Sequence, residues 1–181
     1  MSDQPRQMTP EEAAEFAEQV FNKAREGDAA MLAALLSKGL PPNLRNHKGD
    51  TLLMLAAYHG HVDAVKVLLE HKADPQIRND NCQSPIAGAA FKGDLAVVAA
   101  LVDGGAEIEG SSFDGRTALM MAAMFNRTAI VDYLIGKGAD PKAKDANGIT
   151  ALDAARTMGA VDTTAQLEKI LGDSRVDPKL R

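Results

Sequence analysis

Residues 49–57 read Gly-Asp-Thr-Leu-Leu-Met-Leu-Ala-Ala, and the same pattern of small, hydroxyl and apolar residues returns every 33 residues in a chain of 181. Positions that lie 33 residues apart form what we call a column, and several columns keep one type of residue along the sequence. The leucine column, for example, falls at positions 35, 68, 101, 134 and 167. Because several independent columns agree on one spacing, the sequence predicts a tandem array of repeats.

Two polar columns predict how each repeat folds. A hydroxyl residue precedes an apolar stretch in each copy, and such residues are preferred helix N-caps; the members are Thr51, Ser84, Thr117 and Thr150. Pro85 follows Ser84 at the first helical position, where proline is tolerated. A second column ends the short helix where a positive φ is needed, a conformation that glycine and then asparagine adopt most readily; its members are Gly27, Gly60, Gly93, Asn126 and Gly159.

A second helix follows each of these turns. In residues 62–70, for example, Val65 and Leu68 share one face at helical spacing. The segment after it, Ala73-Asp74 in this copy, turns the chain towards the next cap. Each repeat is therefore predicted to be a helix-turn-helix unit.

The stretch 49–57, with Gly60-His61 and the apolar run 65–69, resembles the consensus of the ankyrin repeat, Gly-x-Thr-Pro-Leu-His-x-Ala-Ala followed by Gly-His. The resemblance covers roughly residues 20–171. It implies an all-α fold, an ankyrin-repeat solenoid in which helix-turn-helix units are joined by β-hairpin-like loops. It also implies a structural role for His61.

The chain departs from this consensus at two columns. The consensus histidine is missing from every copy, and the positions hold Met54, Ala87, Met120 and Asp153. Cys82 stands where the other copies have Gly49, Gly115 and Gly148. We therefore expect the loops to be held by other contacts, and the hairpin at Cys82 to be atypical.

About five units, including caps, are expected. Thr9-Pro10-Glu11-Glu12 has the features of a helix start. The first helix should turn Phe16, Val20 and Phe21 inward. The expected organisation is a disordered tail (1–9), a repeat domain (10–171) made of a cap (about 10–45), repeats (about 46–78, 79–111 and 112–144) and a C-terminal repeat (about 145–171), and a frayed tail (172–181).

Composition and charge narrow the possible partners. The net charge of −5 argues against nucleic acid and against an anionic membrane surface. With one cysteine, no secretory signal in residues 1–10 and no long apolar run, a cytoplasmic protein is expected. Polar caps at both ends favour a monomer.

No catalytic, cofactor-binding or metal site is predicted, so we do not expect an enzyme. The glycines recur at the repeat period and form no phosphate-binding loop. The spacing of the four histidines does not match a zinc site; they are His47, His59, His61 and His71. Cys82 is interpreted as a small loop residue and not as a nucleophile.

Large side chains gather in the columns that the resemblance assigns to a concave groove. Four of the seven aromatic residues fall there, and aromatic, methionine and arginine residues are enriched at interface hot spots. The predicted partner-binding residues are Tyr58, His59, Phe91, Lys92, Phe113, Arg116, Met124 and Phe125. The alternative is that these residues pack between adjacent repeats.

The leading hypothesis is a protein-protein interaction module that acts as an adaptor or regulator through this groove. The alternative is a chaperone-like or inhibitory subunit that masks one client protein. A basic client would favour an acidic groove, whereas this groove is mixed and contains Lys48, Lys92 and Arg116. The adaptor or regulator is therefore the preferred hypothesis.

Overall fold

The computed structural model describes residues 7–173, which form ten α-helices in five pairs. The helices of the five pairs are α1 (Pro10–Glu26) with α2 (Ala29–Ser37), α3 (Leu52–Tyr58) with α4 (Val62–Glu70), α5 (Pro85–Lys92) with α6 (Leu95–Asp103), α7 (Ala118–Met124) with α8 (Thr128–Gly136), and α9 (Ala151–Met158) with α10 (Val161–Asp173). None of the helices in residues 7–173 is both long and apolar enough to cross a bilayer.

The helices stack in two rows. Each odd-numbered helix packs against the next odd-numbered one, and the even-numbered helices form the second row behind them. We call these the inner and outer rows. The loops that join successive pairs are hairpin-like, but within the described part of the chain their β pairing is limited to an isolated bridge between Arg45 and Thr51. The all-α solenoid expected from the sequence is confirmed.

The predicted N-caps start the inner helices. Each hydroxyl oxygen accepts a hydrogen bond from the amide three residues later: 3.1 Å for Thr51, 3.4 Å for Ser84, 3.3 Å for Thr117 and 3.2 Å for Thr150. Such a cap satisfies an amide that the helix leaves without an internal partner.

The predicted turn column adopts the left-handed conformation in every unit. Its φ values are +76° at Gly27, +79° at Gly60, +86° at Gly93, +59° at Asn126 and +69° at Gly159. Asparagine tolerates this region better than other residues with a side chain, which explains the exception at position 126.

The core follows the period. Leu68, Leu101, Leu134 and Leu167 are fully buried, whereas Leu35 is partly exposed. Paired alanines in α3, α5 and α7 are also fully buried. Their short side chains allow the inner helices to approach closely, while Leu53, Ile86 and Leu119 of the same helices fill the core beside them.

The N-terminal cap differs from the expectation at one residue. Val20 and Phe21 are buried as predicted, but the prediction for Phe16 is wrong, because 38% of its surface is exposed. One period before the start of α3 is position 19, so α1 extends beyond the rest of the inner row at its N-terminal end. The helix α3 does not reach far enough to cover Phe16, which lies in this extension of α1.

The predicted tails lie mostly outside the described residues. Of the tail predicted at 1–9, residues 1–6 are not described, and Thr9 caps α1 through the Glu12 amide. Of the tail predicted at 172–181, residues 174–181 are not described, and α10 continues to Asp173. The boundaries assigned to the individual repeats stay a prediction.

Candidate functional site

The inner row and the hairpin tips of the second, third and fourth units enclose an open groove with a cavity of about 880 Å³. Seven of the eight residues singled out from the sequence line it: Tyr58, His59, Phe91, Phe113, Arg116, Met124 and Phe125. The eighth, Lys92, lies at its rim, where its Nζ is 4.9 Å from the centre of the Tyr58 ring. The structure therefore brings these residues to one surface.

Three aromatic rings form a continuous row along the groove. The Tyr58 and Phe91 rings are nearly parallel, with centroids 6.4 Å apart, and Phe91 meets Phe125 edge to face at 4.6 Å. Tyr58 is 43% exposed, and Phe91 and Phe125 are half-buried. Packing between adjacent units and exposure in the groove are therefore both observed. The rings pack against one another across units and still present a face to solvent.

Phe113 differs from the other aromatic residues. It lies at the tip of the hairpin of the fourth unit with 90% of its surface exposed. An aromatic side chain buries a large apolar area when it enters an interface. Phe113 is therefore the aromatic residue of the groove with the most area still to gain on binding.

The hairpins are held by a polar column that the sequence reasoning missed. Asn46 Oδ1 accepts hydrogen bonds from the amides of Lys48 and Asp50, both at 2.9 Å. Asn79, Ser112 and Asp145 also accept hydrogen bonds from the amides of their own hairpins. These hydrogen bonds are contacts that hold the loops in a chain without the consensus histidine. The 33-residue spacing of the four side chains was the signal that could have identified them.

The hairpin of the fourth unit is charged. The Ser112 hydroxyl donates to the Asp114 carboxylate, and Arg116 Nε lies 3.1 Å from Asp114 and 3.9 Å from Asp145. The Ser112 hydroxyl, and to a smaller extent Arg116, hold the pKa of Asp114 below its ordinary value. Arg116 thus lines the groove with its charge already paired inside the protein.

The surroundings of His59 are positive. The pKa of its imidazole is lowered, first because burial disfavours the charged form and then because His61, Lys92 and Arg25 repel a further positive charge. Neither Lys92 nor Lys48 takes part in an ion pair within residues 7–173. Lys92 therefore brings to the His59 side of the groove a positive charge that is not in an ion pair with any residue in the range 7–173.

His61 has the structural position expected for it. Its Nε2 donates to the Arg25 carbonyl of the preceding unit at 2.7 Å, and its ring fills the space that a Cβ on Gly27 would need. Arg127 makes the corresponding contact two units later, where Nε and Nη2 donate to the Phe91 carbonyl at 3.3 and 3.2 Å. Both side chains tie one unit to the unit before it.

Cys82 is a partly exposed free thiol at the tip of the hairpin of the third unit. Its φ is +57°, close to the +75° of Gly49 and the +79° of Gly115 at the same position of other units. The atypical hairpin therefore keeps the glycine conformation with a side chain that disfavours it.

No three histidine, cysteine, aspartate or glutamate side chains lie together as metal ligands among residues 7–173. The His59 and His61 rings stack with centroids 6.4 Å apart. His61 is engaged with the Arg25 carbonyl, and His59 faces the groove.

Comparison with known proteins supplies the family. The model of ankyrin repeats matches residues 20–112 and again residues 86–168. A Pseudomonas aeruginosa protein named for its ankyrin repeats is 57% identical over 67 residues, which are 37% of this chain and 39% of that protein. Human ankyrin repeat domain-containing protein 29 is 44% identical over 55 residues, 30% of this chain and 18% of that protein. The matches thus cover less than half of either relative.

Proposed function

The chain belongs to the ankyrin repeat family, whose repeats generally mediate protein-protein interaction, and we propose that it binds another protein through the groove of its second to fourth units as an adaptor or regulator. The observation that carries this proposal is the aromatic row. The Phe91 ring lies beside Tyr58 of the second unit and Phe125 of the fourth, and the three rings leave apolar surface open to the groove.

A preformed groove favours binding. The Tyr58 and Phe91 rings already restrain each other, so little side-chain freedom remains to be lost when a partner covers them. Large aromatic side chains at the centre of a contact surface are the residues most often found to dominate binding energy. The row therefore supplies rigid apolar anchors at low entropic cost.

The test is capture of a partner by the double variant Tyr58→Ala with Phe91→Ala. The immobilised protein is incubated with a lysate of the cells from which it comes, and bound proteins are identified by mass spectrometry. We expect the double variant to lose the proteins that the wild type retains, because it removes the two stacked rings. Far-ultraviolet circular dichroism should show unchanged helical content.

The matched control is Leu95→Ala with Tyr133→Ala, which truncates one aliphatic and one aromatic residue of the outer row. Tyr133 has its own lysine neighbour, Lys137, with Nζ 5.5 Å from the ring centre, and so resembles Tyr58 with Lys92. This control should capture partners as the wild type does. Undiminished capture by the Tyr58/Phe91 variant would contradict the groove assignment.

A further inference from the structure

The floor of the groove is lower in the third unit than in its neighbours. One column of the period presents Leu55, Gly88 and Met121 in the second, third and fourth units, and all three residues line the groove. The third unit lacks a side chain where the units on either side carry a large one. We call the resulting space the notch; Tyr58 and Phe91 lie beside it on the groove.

Gly88 is not required by the fold. It lies inside α5, outside the set of residues with positive φ. A Cβ at this position would meet Tyr58 Cδ2 at 3.7 Å, an ordinary van der Waals distance. Glycine inside a helix costs about 0.5–1 kcal/mol relative to alanine. The chain thus carries a destabilising residue that neither backbone geometry nor packing demands, and its effect is to leave the notch open.

Positive charge lies beside the notch. Lys92 follows Gly88 by four residues on α5, so the two share a helix face. Its ammonium contacts the Tyr58 ring and belongs to no ion pair within residues 7–173. Asp50, an acidic residue that also lines the groove, accepts hydrogen bonds from the side-chain amides of Asn46 and Asn79 and forms no ion pair with Lys92. In a chain of net charge −5, a positive rim on the groove favours a partner with a carboxylate there.

The length of the groove indicates an extended segment. The groove crosses α3, α5 and α7, and packed helices lie about 8–10 Å apart, so the groove spans about 16–20 Å between the axes of the outer two helices. An extended chain covers that length in about six residues at roughly 3.3 Å per residue.

We propose that the groove binds an extended segment of the partner protein in which one large apolar residue enters the notch at Gly88 and a neighbouring aspartate or glutamate pairs with Lys92. The proposal rests on the proposed function, because it specifies what the same groove binds. The apolar residue fills the space left by the missing side chain, and the carboxylate neutralises the rim.

The experiment selects binders from a display library of random peptides long enough to span three units, with the full chain as bait. Peptides that lose binding to the Tyr58→Ala, Phe91→Ala variant are counted as groove binders. We expect them to contain an aspartate or glutamate within a few positions of a leucine, methionine or phenylalanine, more often than the unselected library does.

Gly88→Leu tests the notch. It restores the large residue found at positions 55 and 121. Gly88→Ala adds only a Cβ, which has room 3.7 Å from Tyr58 Cδ2, so the melting temperature of the alanine variant should stay the same or rise. We expect selected peptides to bind the leucine variant at least about tenfold more weakly, and Gly88→Ala by a smaller factor. Thermal melts of both variants accompany the binding measurement, and weaker binding by a Gly88→Ala variant of unchanged stability would reflect a filled notch. Unchanged binding to Gly88→Leu would overturn this part of the proposal.

Lys92→Glu tests the rim. This variant should bind the acidic peptides more weakly than the wild-type protein does. When the acidic residue of these peptides is changed to lysine, the variant should bind them more tightly than the wild-type protein does. Lys137→Glu, which changes the matched lysine of the outer row, should leave binding unchanged. Groove binders without acidic enrichment, or without a response to Lys92→Glu, would overturn the charge assignment.

The outcomes separate this inference from the proposed function. Peptides that depend on Tyr58 and Phe91 but tolerate both Gly88→Leu and Lys92→Glu would support protein binding in the groove and overturn the inference. If the library yields no groove binder, the inference is overturned, and the pull-down decides about the proposed function independently.

Discussion

The third unit, which contains α5 and α6, and the fourth, which contains α7 and α8, each place a leucine of the same column in the core. Leu101 and Leu134 are both fully buried, and both inner helices begin at a hydroxyl cap. The two units differ at positions that belong neither to the core nor to the helix caps. At the groove floor, Gly88 of the third unit corresponds to Met121 of the fourth. The period therefore determines the framework, while the surface residues between the framework positions distinguish one unit from the next.

Their hairpins and turns differ as well. The hairpin of the third unit is built on Asn79 and has Cys82 at its positive-φ position, whereas that of the fourth unit has glycine there. After the inner helix, Asp94 caps its own outer helix, whereas Arg127 at the same position of the next unit reaches back to the Phe91 carbonyl. One backbone position thus serves a local role in one unit and an inter-unit role in the other.

The largest effect should be the same in both units. Leu101→Ala and Leu134→Ala should each lower the free energy of unfolding by about 2–5 kcal/mol, because each leaves a cavity in the shared core. Urea denaturation followed by circular dichroism measures both. Leu95→Ala, at a partly exposed residue, is the control and should cost much less. If one core variant costs several times as much as the other, the two units do not share an equivalent framework.

The next effect should distinguish the units. Arg127→Ala should cost about 1–3 kcal/mol, because the Phe91 carbonyl loses both guanidinium donors. Asp94→Ala should cost about 1 kcal/mol through loss of the α6 cap. Hydrogen exchange monitored by NMR should show wider loss of protection, reaching the third unit, in the arginine variant. Loss confined to α8 would mean that Arg127 does not couple the units.

Exchanging the residues at the positive-φ position of the two hairpins should change the free energy of unfolding in opposite directions. Gly115→Cys should lose about 1–2 kcal/mol, because φ is +79° and the new Cβ would lie 2.9 Å from the Ala146 amide nitrogen. Cys82→Gly should raise the free energy of unfolding by up to about 1 kcal/mol, because glycine adopts this positive φ without strain. Thermal melts measure both, and Cys82→Ser, which keeps a side chain at this φ, should change little. A destabilised Cys82→Gly variant would show that the thiol makes a compensating contact.

The smallest effect should depend on pH. The folded-state pKa of Asp114 lies below its ordinary value, so its stabilisation is present above the unfolded carboxyl pKa of about 3.9 and is lost as pH falls through the folded pKa. Since the site is partly exposed, we expect a few tenths of a kcal/mol. NMR titration of the carboxyl carbon measures the pKa directly.

Two variants test the cause of this shift. Asp114→Asn should reduce the loss of stability on acidification, and Ser112→Ala should move the pKa of Asp114 back towards the ordinary value. In the third unit Asn81 occupies the equivalent position. Asn81→Asp, which has no serine neighbour there, should titrate closer to an ordinary aspartate. Equal pKa values at positions 81 and 114 would contradict the role given to Ser112.

The features that could be predicted depend on neighbours close in sequence. The hydroxyl caps, the left-handed turn at Asn126 and the helix pairs follow from residues within a few positions of one another. The groove residues were also identified, because the period aligns them once the orientation of the repeat is known. Phe16 was assigned wrongly because its burial depends on how far α1 extends beyond the next unit.

Contacts between units were harder to predict. The pairing of Arg116 with Asp145 joins residues nearly one period apart, and the reach of Arg127 to Phe91 spans more than one period. Their distances depend on the offset between stacked units, which no local pattern contains. The same holds for the notch, because a glycine in a helix becomes a binding feature only when its neighbours in space are large.

The sequence by itself determined the repeat, its caps, its turns and the column of each large side chain, since these follow from backbone preferences and from one strict period. The tertiary structure decided which of those side chains remain open. Stacking brought the Tyr58, Phe91 and Phe125 rings together, paired the charge of Arg116, left Lys92 outside the ion pairs of residues 7–173 and opened the space at Gly88. The physical reason is that burial and pairing are set by the distance and rotation between successive units, and these are fixed only when the units pack.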